Sequence, residues 1–193
     1  MSQRIGVLAS GKGSNLRNLV ERGFDVVAVA TNKPSCGAAA FARDHGIALG
    51  EFSQRRFDSL EQRDVAMRDW LHHRGVELIV NAGYDRILSG SFIDAFRDRM
   101  VNIHPSLLPA FGGGMDAVEQ ALRRGVKVTG CTVHLVTEEV DAGPILLQSA
   151  VPVLPDDTVE SLRARIQVEE HRLLPDAIRL LEQRIDAARP SLR

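Results

Sequence analysis

Apolar residues along the chain follow two rhythms. Arg4–Ser10 (RIGVLAS), Asp25–Thr31 (DVVAVAT), Glu77–Ala82 (ELIVNA) and Met100–His104 (MVNIH) are short apolar runs rich in β-branched residues, and they read as strands buried on both faces. Between them, apolar positions recur at helical spacing over Ser14–Arg22, about Gly37–His45, Asp58–Arg74 and Ser91–Phe96, with Gly46 and Gly75 as stops. A further helix is predicted from a capping Asp116 to Arg124, closed by Gly125. Lys127–Val136 and Pro144–Val153 read as two longer strands, and Thr158–Ile185 as a long amphipathic helix. Strands alternating with helices predict an α/β fold, a Rossmann-like, doubly wound, mostly parallel sheet. The last two strands are joined by a short connection, so an antiparallel C-terminal portion is expected, followed by the long C-terminal helix. Ligands in such sheets bind beyond the C-terminal strand ends. Chemistry is therefore expected at Ser10–Asn15, Thr31–Lys33, Gly83–Leu88 and His104–Pro109.

Composition narrows the class without naming a partner. The chain has 193 residues, 24 Lys and Arg against 25 Asp and Glu, 44% hydrophobic and 25% charged residues. One globular domain spanning 1–193 is expected, since no repeat or linker interrupts it. The net charge of −1 argues against bulk electrostatic capture of nucleic acid or a membrane surface. No apolar stretch is long enough to span a bilayer, and the N-terminus reads as a strand, so a cytoplasmic location is expected. Cys36 and Cys131 are too few for a disulfide scaffold or a cysteine zinc site.

Two segments carry candidate chemistry. Gly11-Lys12-Gly13-Ser14-Asn15 joins the first strand to the first helix, where backbone N–H groups and the helix dipole favour an anion. Leu16 replaces the third glycine of a dinucleotide site, and Thr31-Asn32-Lys33 lacks its acid, which leaves a site for one phosphate or a plain turn. In Asn102-Ile103-His104, alternation puts Asn102 and His104 on one side, where carboxamide and imidazole suit a developing oxyanion. Asp141, in a turn bounded by Gly143 and Pro144, is the best carboxylate to keep His104 protonated, and His134 is able to join them. The bland alternatives are a strand-end histidine and an Asx turn. A third reading is a metal site of His104, His134 and Asp141.

These segments resemble the glycinamide ribonucleotide formyltransferases. The resemblance runs from Gly6–Leu16 through Ala82–Leu88, Asn102–Pro109, Gly130–His134 and Asp141–Pro144 to Gln167–His171. Asn-Ile-His-Pro-Ser-Leu-Leu-Pro is shared by enzymes that use 10-formyltetrahydrofolate. The Gly-Ser-Asn loop and Gln-x-x-Glu-His narrow the likeness to the glycinamide ribonucleotide branch, and from the length neither a tRNA-binding nor a regulatory domain is expected. The resemblance implies a phosphate-binding half over about 1–100 and a folate and catalytic half over about 101–193. It also implies direct formyl transfer from 10-formyltetrahydrofolate to 5-phosphoribosylglycinamide, with no metal. Asn102, His104 and Asp141 would be catalytic, and Gly13, Ser14, Asn15, Gln167 and Glu170 would hold the phosphoribosyl substrate. Asp85, Arg86, Ile87 and Leu88 would line the pterin pocket through backbone groups, together with Asn102. Small molecules are the expected partners, with neither nucleic acid nor membrane, in a monomer or homodimer.

Three departures from the family pattern stand out. Asp85 replaces an apolar residue. The loop Ala110–Val118 is one residue longer than usual and carries Gly112, Gly113 and Gly114, as expected of a lid that orders with ligand. Leu60 stands where relatives have an arginine for the folate tail, and Arg63, on the same helix face, is expected to replace it.

Overall fold

The structure is a computed structural model, and it describes residues 3–188. Seven strands form one sheet: β1 (Ile5–Leu8), β2 (Val26–Thr31), β3 (Ala48–Glu51), β4 (Leu78–Asn81), β5 (Met100–His104), β6 (Val128–Leu135) and β7 (Ile145–Pro152). Their order is β3-β2-β1-β4-β5-β6-β7. The first five are parallel, and β6 runs antiparallel to both β5 and β7. Among the described residues, six α-helices complete the fold: α1 (Ser14–Glu21), α2 (Gly37–Asp44), α3 (Leu60–His73), α4 (Gly90–Ala95), α5 (Ala117–Arg124) and α6 (Val159–Ala188). Among the described residues, no helix is long and apolar enough to cross a membrane.

The strand period sorts side chains between two cores. Val7, Leu78, Val80, Val101 and Ile103 enter a larger core with Leu16 of α1, Phe41 of α2 and Leu162, Leu174 and Ile178 of α6. Leu8, Ala28, Ile79 and Met100 enter a second core with Met67 and Leu71 of α3 and Phe92 of α4. Along β5 this alternation leaves Asn102 and His104 on the opposite side from Val101 and Ile103, which steers both polar groups toward one wall of a cleft.

Two local expectations are corrected. The sequence pattern contains no strand at 48–51, because this segment has a glycine and no β-branched residue. It pairs with β2 nonetheless, Ala28 to Ala48 through Thr31 to Glu51, with Gly50 tucked under Phe52 and Trp70. Asp116 occupies the position before α5, but its side chain makes no capping bond; Oδ1 instead accepts from Gln120 Nε2 at 2.8 Å.

Candidate active site

A cavity of about 590 Å³ opens at the C-terminal ends of β1, β4 and β5, beside the point where strand order reverses between β1 and β4. The 11–15 loop, the 83–88 loop, Asn102, His104, Asp141 and the α6 residues Gln167 and Glu170 all line it. Thus every residue expected at the site reaches this cavity except Arg63.

The glycine loop is built tightly. Gly13 has φ +78°, and a Cβ there would lie 2.8 Å from Ala38 Cα, so α1 and α2 begin against each other only because this side chain is missing. Ser14 Oγ accepts from Gln167 Nε2, Asn15 Nδ2 donates to Glu170 Oε2 at 3.1 Å, and Asn18 Nδ2 donates to the His171 carbonyl at 2.8 Å. These bonds tie α1 to α6, so residues distant in sequence share one wall. Burial pushes the Glu170 carboxyl up to about 7, against the lowering effects of Asn15 and the Arg163 charge.

At the other wall, antiparallel pairing sets His134 of β6 directly opposite Asn102. His134 Nδ1 donates to the Leu135 carbonyl at 2.9 Å, which leaves Nε2 to accept from Asn102 Nδ2 at 3.0 Å. Asn102 Nδ2 also donates to Asp141 Oδ1 at 3.3 Å. Asp141 Oδ2 lies 3.4 Å from His104 Nδ1 and accepts from the Gly113 N–H at 2.8 Å. Burial works to raise Asp141, but the hydrogen bond from the Gly113 N–H and the His104 charge outweigh it and hold its carboxyl below the ordinary range. The carboxylate is carried on a turn shaped by Gly143, where a Cβ would fall 1.8 Å from the Leu135 carbonyl oxygen. The arrangement is a half-buried carboxylate bridging an imidazole and a carboxamide, fit for general acid–base work on a carbonyl. Both His134 nitrogens are used by protein groups. Among the described residues, no set of three His, Cys, Asp or Glu is arranged to hold a metal.

The 110–116 loop meets the pair: His104 Nε2 donates to the Phe111 carbonyl at 2.9 Å, and the Gly113 N–H donates to Asp141 Oδ2 at 2.8 Å.

Arg63 is corrected. It is 1% exposed and lies beneath the 83–88 loop; Nε donates to Asp64 Oδ1 at 2.7 Å and Nη2 to the Ile87 carbonyl at 2.8 Å. A buried guanidinium needs such partners, and they turn it away from solvent and from the cavity. Asp85 faces the cavity edge, with its carboxylate turned outward to Asn32 and Lys33. Three residues outside the sequence reading complete the site. Met115 and Val140 stand with Ile87 as exposed apolar side chains at the mouth, and Arg163 lies beside Glu170. No local pattern distinguishes an apolar residue at a cavity mouth from one in a core.

This combination of doubly wound sheet, strand-end Asn/His pair and facing carboxylate defines a class. The family model described as formyl transferase matches residues 3–178, and the chain belongs to that family. Within it, the chain is similar to a crystal structure of glycinamide ribonucleotide transformylase 1 from Symbiobacterium toebii, with 46% identity and a TM-score of 0.90 over 94% of this chain and 89% of that one. It is also similar to phosphoribosylglycinamide formyltransferase from Bacillus halodurans, with 34% identity and a TM-score of 0.90 over 99% and 100% of the two chains. The trifunctional purine biosynthetic protein adenosine-3 of Bos taurus is 41% identical over 184 residues, which are 92% of this chain but only 18% of that protein.

Proposed function

We propose that the protein transfers the formyl group of 10-formyltetrahydrofolate to the amine of 5-phosphoribosylglycinamide. The observation that carries this reading is the convergence, in one cavity, of a phosphate-type loop and a carboxylate, Asp141, that accepts from Asn102 and lies 3.4 Å from His104 Nδ1. The names of the similar proteins support the same substrates. The cavity suits both ligands. Gly13–Asn15 offers N–H groups for a phosphate at the start of α1. Gln167 and Glu170 offer partners for sugar or glycinamide hydrogens. Ile87, Met115 and Val140 offer an apolar mouth for the flat folate rings, above the backbone of Asp85–Leu88.

In the proposed reaction the substrate amine attacks the formyl carbon, forming a C–N bond and a tetrahedral oxyanion. Asn102 and protonated His104 stabilise that oxyanion, the formyl oxygen taking the place at His104 Nε2 that the Phe111 carbonyl holds in this structure and receiving the Asn102 Nδ2 hydrogen that here reaches Asp141 at 3.3 Å. Asp141 keeps His104 charged and takes part in moving the amine proton to folate N10 as the bond from N10 to the formyl carbon breaks. Products are formylglycinamide ribonucleotide and tetrahydrofolate, with no formyl-enzyme intermediate. The test is absorbance at the folate product band, with and without 5-phosphoribosylglycinamide. Product formation that depends on the amine substrate is expected. Saturable binding without turnover, or equal turnover without the amine, refutes the assignment.

A further inference from the structure

The cavity wall at residues 83–88 has no regular secondary structure, so something other than a ladder must hold it. A closed ring of three hydrogen bonds does so at one point. The Asp85 N–H donates to Ser10 Oγ at 3.1 Å, Ser10 Oγ donates to Asn32 Oδ1, and Asn32 Nδ2 donates to Asp85 Oδ1 at 2.8 Å. Asp85 Oδ2 is paired with the Lys33 ammonium, and the Ser10 N–H donates to the Gly83 carbonyl at 3.0 Å. Ser10 and Asn32 are 6% and 7% exposed. The ring therefore joins the residues just past β1, β2 and β4. Farther along, the Arg63–Asp64 pair holds the Ile87 carbonyl and, at 2.6 Å, the Ser89 N–H. Arg86 and Ile87, which line the cavity, hang between these two anchors.

We propose that Asp85 is a positioning residue, whose side chain sets the backbone of the folate-side wall through Ser10 and Asn32 without itself touching ligand. The inference rests on the reading that a formylfolate occupies that side. The chemistry requires an acceptor at position 85. Asn32 Oδ1 is already used by Ser10, so Asn32 has only donors left, and Lys33 brings another. An apolar residue here would leave the buried Asn32 amide unpaired and would free the loop. Burial raises the Asp85 carboxyl, but the hydrogen bonds from Lys33 and Asn32 and the Lys33 charge prevail and hold it below its ordinary range, so the anchor persists across neutral pH.

Asn32 makes the test sharp, because it lies outside the main cavity and in a neighbouring groove. Asp85→Ala, Asn32→Ala and the double variant are compared with wild type by amide hydrogen exchange at 83–88, thermal melting, and KM and kcat for each substrate. Each single variant should speed exchange at 83–88 and raise KM for formylfolate by about tenfold, leaving exchange in the core strands, kcat and KM for the phosphoribosyl substrate within about twofold. The double variant should be no worse than either single one, since both break one ring. Asp85→Asn combined with Lys33→Met keeps the acceptor for Asn32 with no stranded ammonium, and should restore KM. Unchanged exchange at 83–88 in Asn32→Ala, or additive effects in the double variant, overturns the proposal. If wild type lacks turnover, the functional reading fails, while hydrogen exchange still decides the role of Asp85.

Discussion

Replacing Glu170 with glutamine should make the protein more stable in mild base while weakening its hold on substrate. The side chain keeps its shape and can still accept from Asn15 Nδ2, so the change removes little besides the charge. In the folded protein the carboxyl titrates at about 7 and not at the usual 4.5, because burial disfavours the charged form. At about 1.4 kcal/mol per pH unit, that rise corresponds to about 3 kcal/mol. The sign follows from proton binding. Between these two pH values the native state holds a proton that the unfolded chain has released. The stabilisation is therefore complete below pH 4.5 and is lost as pH rises through 7. Roughly 2 kcal/mol of it disappears between about pH 5.5 and 8.5, whereas a glutamine amide in the same place would titrate nowhere. For a domain of this size the variant's Tm advantage should widen by about 4–8 °C over that range. Melting both proteins at a series of pH values cancels every other titrating group. Parallel Tm profiles would refute the argument. In the same variant, KM for the phosphoribosyl substrate at about pH 8.5 should rise at least tenfold, since a carboxylate accepts hydrogen bonds more strongly than an amide. Together these outcomes describe a carboxylate kept for binding at the expense of stability.

Other expectations follow from the geometry. His104→Gln and Asp141→Asn should each lower kcat by about 10²-fold or more with far-ultraviolet circular dichroism unchanged, and near-normal turnover in either would sink the mechanism. Gly143→Ala puts a Cβ against the Leu135 carbonyl oxygen, now 1.8 Å from where that atom would sit, so urea unfolding should show a loss of roughly 3 kcal/mol or more. Arg63→Met strands a fully buried Asp64, with an expected loss of about 3–5 kcal/mol in the same assay; a loss below about 1 kcal/mol would mean that the pair does not anchor the loop. Ile87→Ser at the cavity mouth should raise KM for the formylfolate by roughly tenfold while leaving the other substrate's KM alone, as expected for losing an apolar contact made only in the complex.

The failures of sequence reading share one cause. Position 48–51 is a strand because β2 offers a free edge and Trp70 covers Gly50, and both of these are distant from the segment in sequence. Arg63 has the helical phase of Leu60, which predicts a contact with the folate tail, but it lies buried beneath the 83–88 loop, where Asp64 and the Ile87 carbonyl satisfy it. Asp116 has the identity of a cap, yet Gln120 one turn along competes for its oxygen. In each case the residue type states which bonds it can make, and its neighbours decide which of them form.

Local pattern determined most of this protein's elements: period two with β-branched residues for the strands, period 3.6 with glycine stops for the helices, and polar groups placed where buried strands end. It determined Asn102 and His104 as a pair, because alternation along five residues needs no partner. Only the tertiary structure decided what they meet. Antiparallel pairing of β6 against β5 puts His134 opposite Asn102, a glycine-dependent turn brings Asp141 between them, and α6 returns Gln167 and Glu170 to the first loop. Those meetings span up to 155 residues of chain, and nothing in a short window records them. They arise because the one sheet must bury both faces, and burying them is what draws the distant segments together.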